Sequence, residues 1–173
     1  MSQERFAHLC AASNAELESI LLAAKAPAPQ ALAGFEWRGC NTPVYTTALG
    51  IRKFIKGFFL AGGKIEGYNI PVRQNGLCNP WMAKPNPEAP HRFGFYEVLQ
   101  SPPRYANALL LDYGASHRNS SWRPERLLRD FLVQDTQDLD VMIGKAYLNL
   151  GAPIPVGFFI LERLRPSAWR PPA

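Results

Sequence analysis

The sequence predicts an α+β protein that is mostly β: N-terminal helices followed by an antiparallel β-meander that closes into a barrel. Three observations carry this. Apolar residues recur at three- and four-residue spacing only in the N-terminal part of the chain. From Phe93 onward, short runs rich in aromatic and aliphatic residues alternate with turn signals. The segments between those runs are too short for crossover helices, which excludes a parallel sheet.

At the N-terminus, Phe6, Leu9, Ser13, Leu17, Ile20, Leu21 and Ala24 share one helical face. Ser13 followed by Glu16 has the form of a capping box, so the helix is expected to begin twice, near Ser2 and again at Asn14. Pro27-Ala28-Pro29 stops it, and a short turn over Gln30–Ala33 follows. Over Thr47–Phe59 the residues Ile51, Phe54, Ile55, Phe58 and Phe59 fall on one helical face, with Arg52, Lys53 and Lys56 opposite or flanking, which predicts a second helix. Gly62-Gly63 closes it. Tyr68–Arg73 reads as a short strand whose proline suits an edge or an end. Gln74–Pro90 is a proline-rich loop carrying Trp81. The meander then comprises Phe93–Gln100, Asn107–Gly114, Leu127–Asp135, Val141–Asn149 and Val156–Leu164, with a long loop over Ala115–Pro124. The expected organisation is a helical segment over 1–64, a barrel over 65–164 and a loose tail over 165–173, all in one structural domain, with Trp169 able to dock.

Composition narrows the class. The chain has 173 residues, an apolar fraction of 47% and a charged fraction of 19%, which argues for a packed core and against disorder. No apolar run approaches the roughly 20 residues needed to cross a bilayer, and Met1–Cys10 does not have the form of a signal peptide, so no membrane partner is expected. Cys10, Cys40 and Cys78 are odd in number and widely spaced, which fits reduced thiols in a cytoplasm. No Cys/His cluster is present, so neither a metal nor another cofactor is expected. The formal net charge is +5, and Arg38, Arg52, Lys53, Lys56 and Lys64 fall between Trp37 and Ile65 without an intervening acid. That excess is either a solvated surface or an attraction for an anionic ligand. No nucleic-acid recognition motif accompanies it, so no nucleic-acid partner is expected. The oligomeric state stays open.

Leu32-Ala33-Gly34-Phe35-Glu36-Trp37-Arg38-Gly39, followed by a loop with Pro43 and then Gly57-Phe58-Phe59, resembles the GXWXG family. Gly34 stands three residues before Trp37 rather than two, and Asn41-Thr42-Pro43-Val44-Tyr45 replaces the family's Pro-Thr-Gly-His stretch. Leu109-Leu110-Leu111-Asp112-Tyr113, Leu128-Arg129-Asp130-Phe131, Met142-Ile143-Gly144-Lys145 and Phe158-Phe159-Ile160-Leu161-Glu162-Arg163 resemble the uncharacterised calycin-like domain that usually follows that element. The resemblance implies a calycin- or lipocalin-like barrel of unknown ligand, and no particular reaction.

Aromatic residues supply the candidate binding set: Trp37, Tyr68, Trp81, Phe95, Tyr96, Tyr113, Tyr147 and Phe159, with Arg129 as a charged member. Tryptophan near the first strand plugs a barrel end or meets a ligand, and its N–H needs one acceptor. Side chains alternate along a strand, so Tyr113 lies with Leu109 and Leu111, Asp112 lies with Leu110, and Phe158 and Phe159 diverge. Two readings stay open for these aromatics: a solid core, or a cavity with apolar walls and a few phenolic handles.

Asp112 and Asp130 sit among aliphatic residues in strands, where aspartate is disfavoured. Each is either an outward residue paired across the ladder with Arg129 or Lys145, or an inward group reaching a ligand. His117 in the long loop is a solvated histidine or a general base near Asp112. No nucleophile elbow, zinc-protease, phosphate-loop or dinucleotide fingerprint occurs. The leading expectation is therefore a barrel that binds an apolar or amphipathic small molecule, with an acidic head favoured by the basic excess. The alternatives are an enzyme of specialised metabolism (an isomerase, cyclase or hydrolase) using Asp112, Asp130 and His117, and an interaction module using Thr47–Phe59 or the tail.

Overall fold

A computed structural model describes residues 2–172. Two helices, α1 (Ser2–Ala11) and α2 (Asn14–Ala23), and a single turn, α3 (Pro29–Leu32), precede an eight-stranded barrel. Its strands are β1 (Phe35–Asn41), β2 (Lys53–Ala61), β3 (Lys64–Pro71), β4 (Phe93–Gln100), β5 (Leu109–Asp112), β6 (Leu128–Gln134), β7 (Val141–Asn149) and β8 (Pro153–Pro166), with one helical turn, α4 (Tyr45–Ala48), between β1 and β2. Every neighbouring pair is antiparallel, and β8 returns to β1 to close the sheet. Full closure leaves no sheet edge to protect.

The barrel begins thirty residues earlier than the 65–164 expectation, at Phe35, and residues 1–64 contribute two of its strands. The helix expected over Thr47–Phe59 is mostly β2. Its apparent helical spacing arises because both faces of the strand are buried. Phe54 and Phe58 point into the barrel beside Lys56, while Ile55 and Phe59 point outward into a second apolar layer. Two apolar pairs, 54/58 and 55/59, imitate an i, i+3, i+4 pattern. Only Tyr45–Ala48 of the expected helix forms a helical turn. The strands from Phe93 onward follow the predicted meander closely, and β4 and β7 coincide with it residue for residue.

The outer layer lies between the barrel and its cover. The helices α1 and α2 pack on β7 and β8 through Phe6, Leu9, Leu17 and Leu21. The double helix start forms as expected, with Ser13 Oγ accepting the Glu16 N–H at 3.2 Å. Arg5 donates two bonds of 2.9 Å to the Asp135 carboxylate, a fork that fixes α1 to the end of β6. Lys145 on β7 donates to Glu18 of α2 at 2.6 Å and does the same for α2. The tail is not loose throughout: Trp169 packs against Phe59, Tyr68 and Phe95 with ring centroids 5.3, 4.7 and 6.2 Å away.

Directly opposed glycine–aromatic pairs recur around the sheet: Gly39 with Phe54, Gly57 with Tyr68, Gly67 with Tyr96 and Gly144 with Phe159. In each, the ring lies over the glycine, where a methyl group would overlap it. The absent side chain gives the ring a seat and lets the sheet curve tightly. Gly144→Ala should therefore cost about 1–3 kcal/mol through overpacking. Denaturant titration should show a lower midpoint, and Phe159→Leu in the same chain should return most of the loss. An unchanged midpoint for Gly144→Ala would remove this role.

Candidate functional site

An eight-stranded barrel has an interior just wide enough to be filled by side chains or to hold one small ligand. Here the two possibilities divide the interior between them. The end near Phe35 is solid: Trp37, Phe58, Ile65, Leu109, Leu132, Met142 and Leu161 pack there without appreciable exposure. Trp37 is the plug, 1% exposed, with the Arg163 guanidinium 4.8 Å from its ring centre. Its indole N–H finds no acceptor among the described residues, contrary to the expectation of one.

The opposite end is hollow. A cavity of about 310 Å³ is walled by Phe54, Val72, Phe93, Leu128, Val156 and Phe159 and opens beside Gly50-Ile51, Pro71 and Lys84. It lies at the lower end of the roughly 300–1,000 Å³ range of small-molecule sites. Depressions around Arg5, Glu16, His8 and Gln137 are also present, but they lie on the outer surface beside α1 and are lined mostly by polar chains.

The floor of the cavity is polar. Lys56 on β2 reaches across the lumen to Asp130 on β6, with Nζ 3.0 Å from Oδ2 and both side chains almost wholly buried. Lys56 also donates to Asn69 Oδ1 at 3.1 Å and to the Tyr113 hydroxyl. Tyr113 donates in turn to Asp130 Oδ2 at 3.0 Å. Asn69 completes the group by donating to Gly94 O at 2.9 Å and to the Tyr113 oxygen at 3.3 Å. The ammonium is ringed by Phe54, Tyr96, Tyr113 and Phe159, whose centres lie 4.8–5.7 Å from it.

The protonation states follow from burial. Removal from water pushes the Lys56 ammonium below its ordinary value, and the Asp130 charge and hydrogen bond oppose that shift. Burial and the nearby Asp130 charge hold the Tyr96 and Tyr113 phenols well above theirs. Both remain protonated at neutral pH. Tyr113 is therefore a donor to Asp130 and an acceptor from Lys56, which agrees with the geometry.

Of the residues expected from the sequence, Tyr113, Asp130 and Phe159 line this cavity. Trp37 and Tyr96 are interior but belong to the packed half and the floor. The others lie on the outside of the barrel. Tyr68 donates to Glu36 at 2.9 Å, Trp81 packs edge-on to Phe6 of α1, Phe95 stacks on Trp169, and Tyr147 meets Tyr105 at 3.0 Å. Arg129 faces outward and pairs with Asp112 at 3.1 Å. Asp112 also accepts the N–H groups of Gly114 and Ala115, which closes the turn after β5. The two aspartates thus take opposite roles: Asp112 is the outward ladder partner and Asp130 the inward group. His117 is exposed in its loop, so Asp112, Asp130 and His117 do not converge.

Asn69, Phe54 and Glu125 complete the site without having been proposed for it from the sequence, together with Phe93 from the wider aromatic set and Lys56, which the sequence placed only in the basic group. The signal for Lys56 lies in the alternation of β2, where it stands between two inward aromatics and can only be an interior charge. The chain was compared with protein-family models, curated proteins and solved structures, and none matches it.

A buried charge left without its partner is expensive, whereas a pair replaced by apolar residues of like size is not. Asp130→Leu or Lys56→Met alone should each cost about 3–5 kcal/mol. The double variant should regain most of that loss. Additive losses in a denaturant double-mutant cycle would show that the two side chains do not interact.

Proposed function

We propose that this protein is a container for one small apolar or amphipathic molecule, held in the mouth-side half of the barrel. The observation that carries the reading is the division of the interior: a solid lower half, a polar floor, and above it a hollow with aromatic walls. A core built only for stability has no need of an interior charge, and burying the Lys56–Asp130 pair gains little over apolar packing. A polar floor beneath apolar walls suits a ligand with one polar end. The likeness of Gly34–Gly39 to the GXWXG element supports the same reading.

Acid–base catalysis in the same cavity is the second reading. It is favoured by one observation, a carboxylate at the cavity floor, because Asp130 alone of the three expected acid–base residues lies there.

The test is to fill the space. Ala146 lines the cavity on β7, opposite Asp130 in the ladder. Ala146→Phe should occupy the hollow and weaken binding of an environment-sensitive apolar dye by about tenfold or more, while thermal unfolding shows that the barrel still folds. Native mass spectrometry of the wild-type protein should show a bound small molecule that the variant lacks. Dye binding that is unaffected by the filled cavity would count against a container.

A further inference from the structure

The floor of the cavity has no hydrogen-bond donors left to offer. Lys56 spends its ammonium on Asn69, Tyr113 and Asp130. The Asn69 amide donates to Gly94 O and Tyr113, and the Tyr113 hydroxyl donates to Asp130. What remains is acceptor capacity. Both bonds to the Asp130 carboxylate fall on Oδ2, and Oδ1 accepts from no other described residue, although the side chain is almost wholly buried and lines the cavity. Glu125, on the short 3₁₀ turn before β6, lines the same cavity. Its Oε2 is buried with no hydrogen-bond partner, and no ion pair joins it to another described residue.

These two carboxylates flank one corner. A methyl group at Gly94 would lie 3.1 Å from Asn69 Nδ2, 3.5 Å from the Tyr113 ring and 3.7 Å from Glu125 Cγ, so Glu125 approaches the polar floor beside Tyr113. Lys56 and Asp130 cancel in charge, and Glu125 is the second carboxylate beside the floor. Two further lysines line the cavity: Lys84 at the rim, exposed to water, and Lys53, whose ammonium is held by Asn75 and by the carbonyls of Gly76 and Asn79. A buried acceptor without a donor costs free energy that a ligand can recover. A ligand carboxylate would meet two like charges there and find no donor.

We infer that the molecule held in the cavity is an amphiphilic amine, with its ammonium directed at Asp130 Oδ1 and Glu125 and its apolar part against Phe54, Phe93 and Phe159. This rests on the container reading and replaces the acidic head suggested by the net basic charge. Much of that excess is engaged elsewhere. Arg38 pairs with Glu162 and Arg118 with Glu66, while Lys53 is held by Asn75 and by the carbonyls of Gly76 and Asn79.

The test compares probes that differ only in the head group: n-octylamine, 1-octanol and octanoate, each displacing an apolar dye at neutral pH. Hydrogen bonds to charged groups contribute enough that octylamine should bind about tenfold or more tightly than octanoate. Glu125→Gln, at a partly exposed position, should reduce that preference several-fold. Asp130→Asn, where it folds, should reduce it further. Equal binding of all three probes, or tighter binding of octanoate, would overturn the amine assignment and leave the container standing. Amine preference untouched in Glu125→Gln and in folded Asp130→Asn would also overturn it. Binding of none of the three would overturn both readings.

Discussion

The Lys56–Asp130 pair is the constraint around which the interior is arranged. The two residues belong to strands on opposite sides of the closed sheet, and their bond spans the lumen. Neither charge survives in a dry interior alone. Tyr113 and Asn69 are needed to occupy the remaining protons and lone pairs, and each must arrive in register: Asn69 opposite Lys56 on β3, and Tyr113 just past the end of β5. A slip of one residue in β2 would turn Lys56 out of the lumen and bring Ile55 or Gly57 in. The pair contributes little net stability over an apolar substitute, yet it penalises every register but one.

The same pair divides the lumen. Below it, side chains from all round the sheet close the space. Above it, the small side chain of Ala146 leaves the walls apart, and the aromatic rings of Phe54, Phe93 and Phe159 line the gap. A charged floor also sets what can settle on it. Its donors are consumed internally, so the cavity presents carboxylate oxygens and apolar rings to whatever enters. The overall basic charge of the chain is a poor guide here, because arginines such as Arg38 and Arg118 are engaged with acids outside the lumen while the floor carries two carboxylates and one ammonium.

Much of the fold was legible because the strands after Phe93 are short, aromatic-rich and separated by clear turns, and because Ser13 and Glu16 mark a helix start in the sequence itself. β1 and β2 were not legible as strands. A strand buried on both faces loses its alternation, and in β2 the pairs Phe54/Phe58 and Ile55/Phe59 present a helical period instead. Of the site, Tyr113, Asp130 and Phe159 could be found because an acid or a large ring stood at a definite parity within a recognisable strand. Asp112 and Asp130 looked alike in the sequence, and only the sheet distinguishes the outward member from the inward one. Lys56 was hidden by the strand that reads as a helix, Asn69 stood in a recognisable strand without a charge or ring to mark it, and Glu125 was hidden by its place on a 3₁₀ turn whose approach to the lumen depends on the whole barrel. Tyr68, Trp81, Phe95 and Tyr147 were reasonable candidates on chemistry, but a second buried layer beneath α1, α2 and the tail accounts for them.

The central claim is that a charged ammonium is held inside the barrel and shielded from water. Proton-detected ¹⁵N spectroscopy of the lysine side chains tests it directly at neutral pH. The account predicts a Lys56 ammonium whose protons exchange far more slowly than those of the exposed lysines, distinguished from that of buried Lys53 by its loss in Lys56→Arg and by cross-relaxation to the Tyr96 and Phe159 rings. A Lys56 ammonium that exchanges as fast as the surface lysines, without ring contacts, would contradict it.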